Sequence, residues 1–325
     1  MTTRGQTAQV ATLLLLALLA ACGSSGAASG SRSITLYTCV SDTTIGPVVD
    51  KFEAANPQTS VKVYRAPTGD LNARVAGDVR SGGLRADVVW ACDPLTMQDY
   101  VDQGLVGGWT PTTSIGSEYR THDYVGVALL YVVAVTRKGV TPPAAWSDLH
   151  AARYAGGVAV PDPGLAASAL GTLGYFADNP AFGTDFYATL KKNGATQVST
   201  PDDVVAGVAE GKYAAGITVA NSAYTAKKNG SPIEVSWPAP GAIAIYGPVA
   251  LAKHSSNAAT AKLFISYVTS RTGQRVLADA GSYPTLAGVP GPTKPADAAV
   301  VSPDWSRLSS DKDHLLAEYQ KIFGG

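Results

Sequence analysis

Between Ile34 and Leu105 the chain alternates between strand and helix signatures, and that alternation leaves few folds open. Ile34-Thr-Leu-Tyr-Thr-Cys39 alternates in polarity and is rich in β-branched and aromatic residues, which predicts a strand. Ser41 or Asp42 is placed to cap a helix from Thr44 to Ala55, which Pro57 ends. Val61–Tyr64 is a second strand. The turn Pro67-Thr68-Gly69-Asp70 opens a helix to Ser81, with Leu71, Val75 and Val79 at core-facing spacing. Asp87–Ala91 is apolar enough to be buried on both faces. Asp93-Pro94 then starts another helix, with proline in its first turn. Strands and helices in this order form a parallel sheet with helices packed on it.

Two later segments break the rhythm. Val125–Val135 and Ala242–Ala252 are long apolar strands that a crossover helix does not separate from comparable neighbours. Between them lies a second α/β set: a strand at Gly157–Val160, helices at Pro163–Phe176 and Pro201–Glu210, a strand at Ala214–Val219 and a helix at Asn221–Lys228. Helices at Asn257–Thr269 and Thr272–Ala280 follow, then a Pro/Gly-rich loop and a final helix from Ser310. The simplest arrangement is α/β in class, with two Rossmann-like lobes crossed twice by the apolar strands. Lobe one takes residues 33–128 plus 250–325 and lobe two takes 129–249. About 290 of the 325 residues lie in this part, enough for two lobes of ordinary domain size.

The N-terminal segment has Arg4 near its start and an apolar run from Val10 to Ala21, too short to span a bilayer as a stable helix. It closes on Leu19-Ala20-Ala21-Cys22, which resembles the lipobox of bacterial lipoproteins. Residues 1–21 then form a lipoprotein signal peptide, and Cys22 becomes the lipid-bearing first residue. The alternative is an ordinary signal peptide cut near Ala21, with Cys22 incidental. Residues 22–32, rich in Gly, Ser and Ala, have the composition of a flexible tether. Losing Arg4 leaves 24 basic against 25 acidic residues, a balance that gives no electrostatic footprint for nucleic acid. With Cys22 lipidated, Cys39 and Cys92 remain in an oxidising compartment.

In its ordered set of segments the chain resembles the class II periplasmic binding proteins, the receptor components of ABC importers. The similarity is greatest to the ferric-ion branch and its relatives for phosphonates, sugar phosphates, polyamines and thiamine. The segments that carry it are Ile34–Ser41, Ala66–Ser81, Ala86–Leu105, Val158–Gly164 and Ala250–Thr285. The resemblance implies a ligand buried between closing lobes, where strand C-termini meet helix N-termini, as in open α/β sheets generally. It also implies that the first and third strands are sheet neighbours. Cys39 and Cys92 at their ends then lie within disulfide reach, although two unpaired buried thiols are the other possibility.

In the ferric branch the metal is held by a His after the first strand, an acid after the third, and an adjacent Tyr pair further on. Aligned without gaps, this chain has Ser41 and Cys92 at the first two places, and Ala220 and Asn221 at the pair. Tyr224 lies three residues on, in a different helical direction. Ferric binding of that kind is disfavoured, which leaves a small polar solute, with phosphonates and phosphorylated compounds as anionic examples. Asp162, Gly164 and Ser168 flank the expected start of the helix after Val160, whose free N–H groups suit a phosphate or carboxylate. Pro163-Gly164 is equally readable as a plain helix start. Thr68 sits at another strand-to-helix junction. Asp93 and Asp162 can meet a ligand amine or simply cap helices. Tyr37, Trp90, Tyr224 and Tyr246 can line the pocket or pack in the core.

A hydrolase needs a nucleophile, a base and an orienter. The histidines are His122, His150, His254 and His314, none at an expected strand C-terminus, and Ser41 with Cys92 has no base in view. The expectation is therefore a binding protein rather than an enzyme, with no cofactor. Its expected partners are a small-molecule ligand and the permease and ATPase subunits of an ABC importer, with a lipid anchor as the only membrane contact. It is expected to be a monomer on the outer face of the cytoplasmic membrane. The competing readings are a receptor for an iron complex and a ligand-sensing surface lipoprotein that signals to a partner.

Overall fold

The computed structural model describes residues 32–324. The segment holding Cys22 lies outside them. The first part of the chain forms β1 (Arg32–Thr38), α1 (Asp42–Ala55), β2 (Thr59–Arg65), α2 (Thr68–Arg80), β3 (Val88–Trp90) and α3 (Pro94–Asp102), then β4 (Val125–Arg137). The middle forms β5 (Val158–Pro161), α4 (Ala167–Asp178), α5 (Asp185–Lys192), β6 (Thr196–Val198), α6 (Pro201–Ala209), β7 (Ala215–Val219), α7 (Ala220–Lys228) and β8 (Ile233–Ser236). The chain returns through β9 (Ala242–Leu251), α8 (Ala258–Val268), α9 (Arg271–Asp279), β10 (Tyr283–Pro284), β11 (Val300–Val301) and α10 (Trp305–Phe323).

The main sheet path runs β2-β1-β3-β9-β4-β7-β5-β6, with β10 and β8 pairing β4 and β11 pairing β9. β1 pairs β2 and β3 in parallel, and β5 pairs β6 and β7 in parallel. The two long apolar strands, β4 and β9, are antiparallel neighbours at the centre. Each feeds two cores. Val125, Val127 and Ala128 of β4 pack with Val249 and Leu251 of β9, Phe52 and Phe264 in one cluster. Val132 and Ala134 of β4 pack with Ile243 and Ile245 of β9, Trp146 and Phe176 in another. The cores therefore meet along the middle of these strands, where continuous apolar sequence is needed on both faces.

Gln274 ties α9 to this centre. It is fully buried, donates to the carbonyls of Val127 and Val268, and accepts from the amides of Thr285 and Leu286. A buried amide with all these partners fixes geometry at little cost.

Several boundaries differ from the sequence expectation. Val79 is 41% exposed, and Asp78 takes the inward position after Leu71 and Val75. The carboxylate is tolerated there because Tyr37 Oη and the Arg85 amide donate to it and Arg74 pairs with it. The helix expected from Pro163 begins at Ala167, because Asp162 closes a turn over the intervening residues. Its side chain accepts from the Gly164 amide, and its carbonyl accepts from Leu165 and Ala166. The final helix starts at Trp305 behind the cap Asp304, which accepts from the Arg307 amide. Its Leu308, Leu315, Tyr319 and Phe323 join the second core, beside Phe176, Phe186 and Tyr187, not the first as grouped from sequence. Its Lys312 reaches back to Asp99 of α3.

Candidate functional site

A cleft opens where β4 and β9 pass from one core to the other, with Ala128, Leu130 and Gly247 on its floor. The inner part offers about 110 Å³ to the centres of water-sized molecules. It continues into an outer part of about 480 Å³, with Ser41, Thr44, Arg65, Asp202, Asn221 and Ser222 shared between the two.

Five helices start at its wall. Ser41 is the N-cap residue of α1, and Thr44 lies in its first turn. Pro67 and Thr68 open α2, while Ala166, Ala167 and Ser168 open α4. Thr200, Pro201 and Asp202 open α6, and Asn221 and Ser222 lie in the first turn of α7. The first amides of a helix have no partner within it, and each helix start carries partial positive charge. In α4 the carbonyl of Ala166 takes the amides of Ala169 and Leu170, which leaves those of Ala167 and Ser168 unpaired among the described residues.

The side chains add to this field. Arg65, at the end of β2, is the one cation among the described residues lining the inner cavity, and its Nε is buried without a partner. Trp90 is fully buried on the floor, and its Nε1 donor is also unpaired. The Asn221 Oδ1 is buried without a donor. A buried polar atom without a partner is costly, so these groups suit a polar occupant of the cleft.

Beneath the wall, Cys39 and Cys92 form a disulfide with a Cα separation of 5.9 Å. The parallel register of β1 and β3 brings Thr38 opposite Trp90, and the Thr38 hydroxyl donates to the Trp90 carbonyl. The bridge follows at the strand ends, and both cysteines line the cavity.

Of the residues singled out from sequence, Ser41, Thr68, Cys92, Ser168 and Asn221 stand together at this cleft, as does Trp90. The others stand elsewhere. Tyr37 is buried, with Arg74 donating to its hydroxyl, and burial followed by the Asp78 carboxylate raises its phenol above the usual range. Asp93 caps α3, where it accepts from the Thr96 amide, and burial pushes its carboxyl above the usual range. Asp162 is occupied by the Gly164 amide and Gln197. Gly164 itself faces α2: a Cβ added at Gly69 would lie 2.7 Å from its carbonyl oxygen. The Tyr224 hydroxyl accepts from Trp237 Nε1. Tyr246 packs edge-on against Tyr119 and Trp305.

Sequence reasoning passed over Arg65, Thr200, Asp202 and Ser222. Arg65 directly follows an expected strand and Thr200 directly precedes an expected helix, so the rule that selected Ser41 would have found both.

Fold and cleft together define the class II periplasmic-binding-protein architecture. Residues 34–282 match the family described as bacterial extracellular solute-binding protein, and the chain belongs to that family. An uncharacterized protein of Haemophilus influenzae is 29% identical over 138 residues, a match spanning 41% of this chain and 39% of the relative's length. Among solved structures, the periplasmic binding protein AfuA from Actinobacillus pleuropneumoniae, with exogenous fructose-6-phosphate bound, superposes with a TM-score of 0.81 at 17% identity. The superposition covers 90% of this chain and 99% of that one. Iron-bound HitA from Pseudomonas aeruginosa gives a TM-score of 0.73 at 17% identity, covering 89% and 99%.

Proposed function

We propose that this protein is the lipid-anchored substrate-binding component of an ABC importer, and that it captures a small anionic solute between two closing lobes. The observation that carries the reading is the convergence of five helix starts on a cleft whose one cation among the described residues, Arg65, has a buried donor without a partner. A phosphate, phosphonate or carboxylate on the Ala167 and Ser168 amides, with Arg65 alongside, meets both the dipoles and the unpaired donors. Family membership supports the receptor role. AfuA, with a sugar phosphate bound, supports an anionic ligand by analogy of fold.

The lobes of this reading are 33–128 with 250–289, and 129–249 with the packed α10. Closure takes place about β4 and β9, where the two cores meet. The protein has no catalytic role in this reading, because Ser41 and Cys92 serve as wall and bridge. Lipid on Cys22 holds it on the outer face of the cytoplasmic membrane.

A thermal-shift screen against phosphate, alkyl phosphonates, sugar phosphates, carboxylates, polyamines, thiamine and ferric salts tests the reading. A specific anion should stabilise the protein by about 2.7 kcal/mol at a hundredfold excess over its dissociation constant. A response to polyamines or thiamine, with none to any anion, would refute the anionic assignment.

A further inference from the structure

The Cys39–Cys92 bridge joins the ends of β1 and β3, yet it stands where a purely structural bridge need not be. Both cysteines line the inner part of the cleft, Cys92 half-buried and Cys39 9% exposed, so a molecule entering the cleft meets the bridge. The join is also made without it. β1 and β3 are paired from Leu36 and Val88 to Thr38 and Trp90, and the Thr38 hydroxyl donates to the Trp90 carbonyl. Opening the bridge therefore leaves the strand ends paired.

The surroundings favour thiolates. Cys92 directly precedes Asp93, the N-cap of α3, and Cys39 stands two residues before Ser41, the N-cap of α1. A helix start and a nearby cation both lower the pKa of a thiol, and Arg65 lines the same cavity. Two acids, Asp42 and Asp202, also line the cleft, in the first turns of α1 and α6, where the helix dipoles offset their charge. A sulfur that departs as a stabilised thiolate departs faster, which opens such a bridge to exchange.

We propose that this bridge is a thiol-exchange site, and that the cleft takes small thiols bearing an anionic group. The inference rests on the anionic reading for the seating of that group on Arg65 and the α4 amides. A thiolate brought in this way attacks the more exposed cysteine, Cys92. The new S–S bond joins the incoming sulfur to Cys92, the old one breaks, and its electron pair leaves on Cys39, which takes a proton from water. A second thiolate attacks the sulfur of the first, and the two depart as a small disulfide. Cys92 then also takes a proton. Two thiols are oxidised and one bridge is reduced.

The full chain carrying Cys22→Ser, folded and unreduced in mild detergent, tests this by mass spectrometry. It is incubated with 2-mercaptoethanesulfonate, 2-mercaptoethanol or 2-aminoethanethiol, quenched in acid and mapped for adducts at Cys39 and Cys92. Each rate is divided by that of the same thiol on a small neutral disulfide, which removes differences in thiol reactivity. The sulfonate should then exceed the neutral thiol at least about tenfold, the effect of one good charge-assisted contact, with the amine slowest. Arg65→Gln should bring the ratio toward one. Adducts that form only after unfolding in urea, or not at all, overturn the exchange site and leave the anionic reading standing. Equal normalised rates in the folded protein, or a ratio unmoved in Arg65→Gln, overturn the seating of the anion and count against the reading beneath it.

Discussion

The Gly69 amide donates to the carbonyl of Leu165 at 3.2 Å, which joins the start of α2 directly to the turn before α4. The two backbones approach so closely that a Cβ at Gly69 would also lie 2.9 Å from Leu165 Cδ2. This contact ties the two sides of the cleft, and only a residue without a side chain fits it. We predict that Gly69→Val forces the contact apart. Small-angle scattering should give a larger radius of gyration than wild type, with far-ultraviolet circular dichroism unchanged; an identical profile would show that the contact does not hold the cleft.

The Cys39–Cys92 bridge spans a sequence separation of 53 residues. By the loop-entropy account, closing a loop of that size stabilises by about 4 kcal/mol. The double variant Cys39→Ser/Cys92→Ser should be less stable by that order in urea unfolding. In protein beginning after Cys22, thiol titration under denaturing, non-reducing conditions should find almost no free thiol. Two thiols per chain after exported expression would contradict the bridge.

Asp93 predicts a pH dependence with a definite sign. Its carboxyl is raised above the usual carboxylate range by burial, and one oxygen is buried without a partner. The native state therefore holds the proton more tightly than the unfolded chain. The stability linked to this group is fully present below the unfolded value and declines as pH rises through the higher folded one. Asparagine caps a helix about as well as aspartate and carries no charge. Asp93→Asn should therefore melt higher than wild type at neutral pH, with the difference closing as pH falls toward about 4. A difference that widens in acid would show that the carboxylate is stabilised in the fold.

α7 begins with Ala220 and Asn221 after β7, and the nearest phenol in sequence, Tyr224, is engaged by Trp237. Ferric citrate added to the purified protein should give no visible tyrosinate-to-iron charge-transfer band. A stoichiometric band would require phenolates brought in from elsewhere.

Lipid anchoring is tested at Cys22. In a host that processes lipoproteins, Cys22→Ser should release the protein from membranes or leave its precursor uncut. Normal processing with full membrane retention would refute the anchor. Stable anchoring needs more than one acyl chain, so mass spectrometry of the wild type should find at least two.

The architecture was readable because it rests on period and order. Ile34–Cys39, Asp87–Ala91 and the two long apolar strands announce themselves by composition alone. The cleft was half readable. Proximity to a strand end picks out Ser41, Thr68 and Asn221, but it does not say which way a side chain faces. Asp93 and Asp162 satisfy that rule, and their carboxylates turn inward to the amides of Thr96 and Gly164. Tyr37 lies one pleat before the strand end and points at Asp78. Asp202 was hidden for the converse reason: beside the stronger capping signal of Thr200 and Asp203 it reads as one more acid in a first turn.

The sharing of β4 and β9 between two cores has a consequence for a chain that emerges N-terminus first. The cluster around Phe52 lacks Val249, Phe264 and Leu277 until the chain is nearly complete. The cluster around Phe176 waits longer still, for Leu315, Tyr319 and Phe323 at the far end. Neither half can seal its interior from what has already emerged. α10 closes the part that was made in the middle, so the core around Phe176 is complete only after residues 305–323 have joined it.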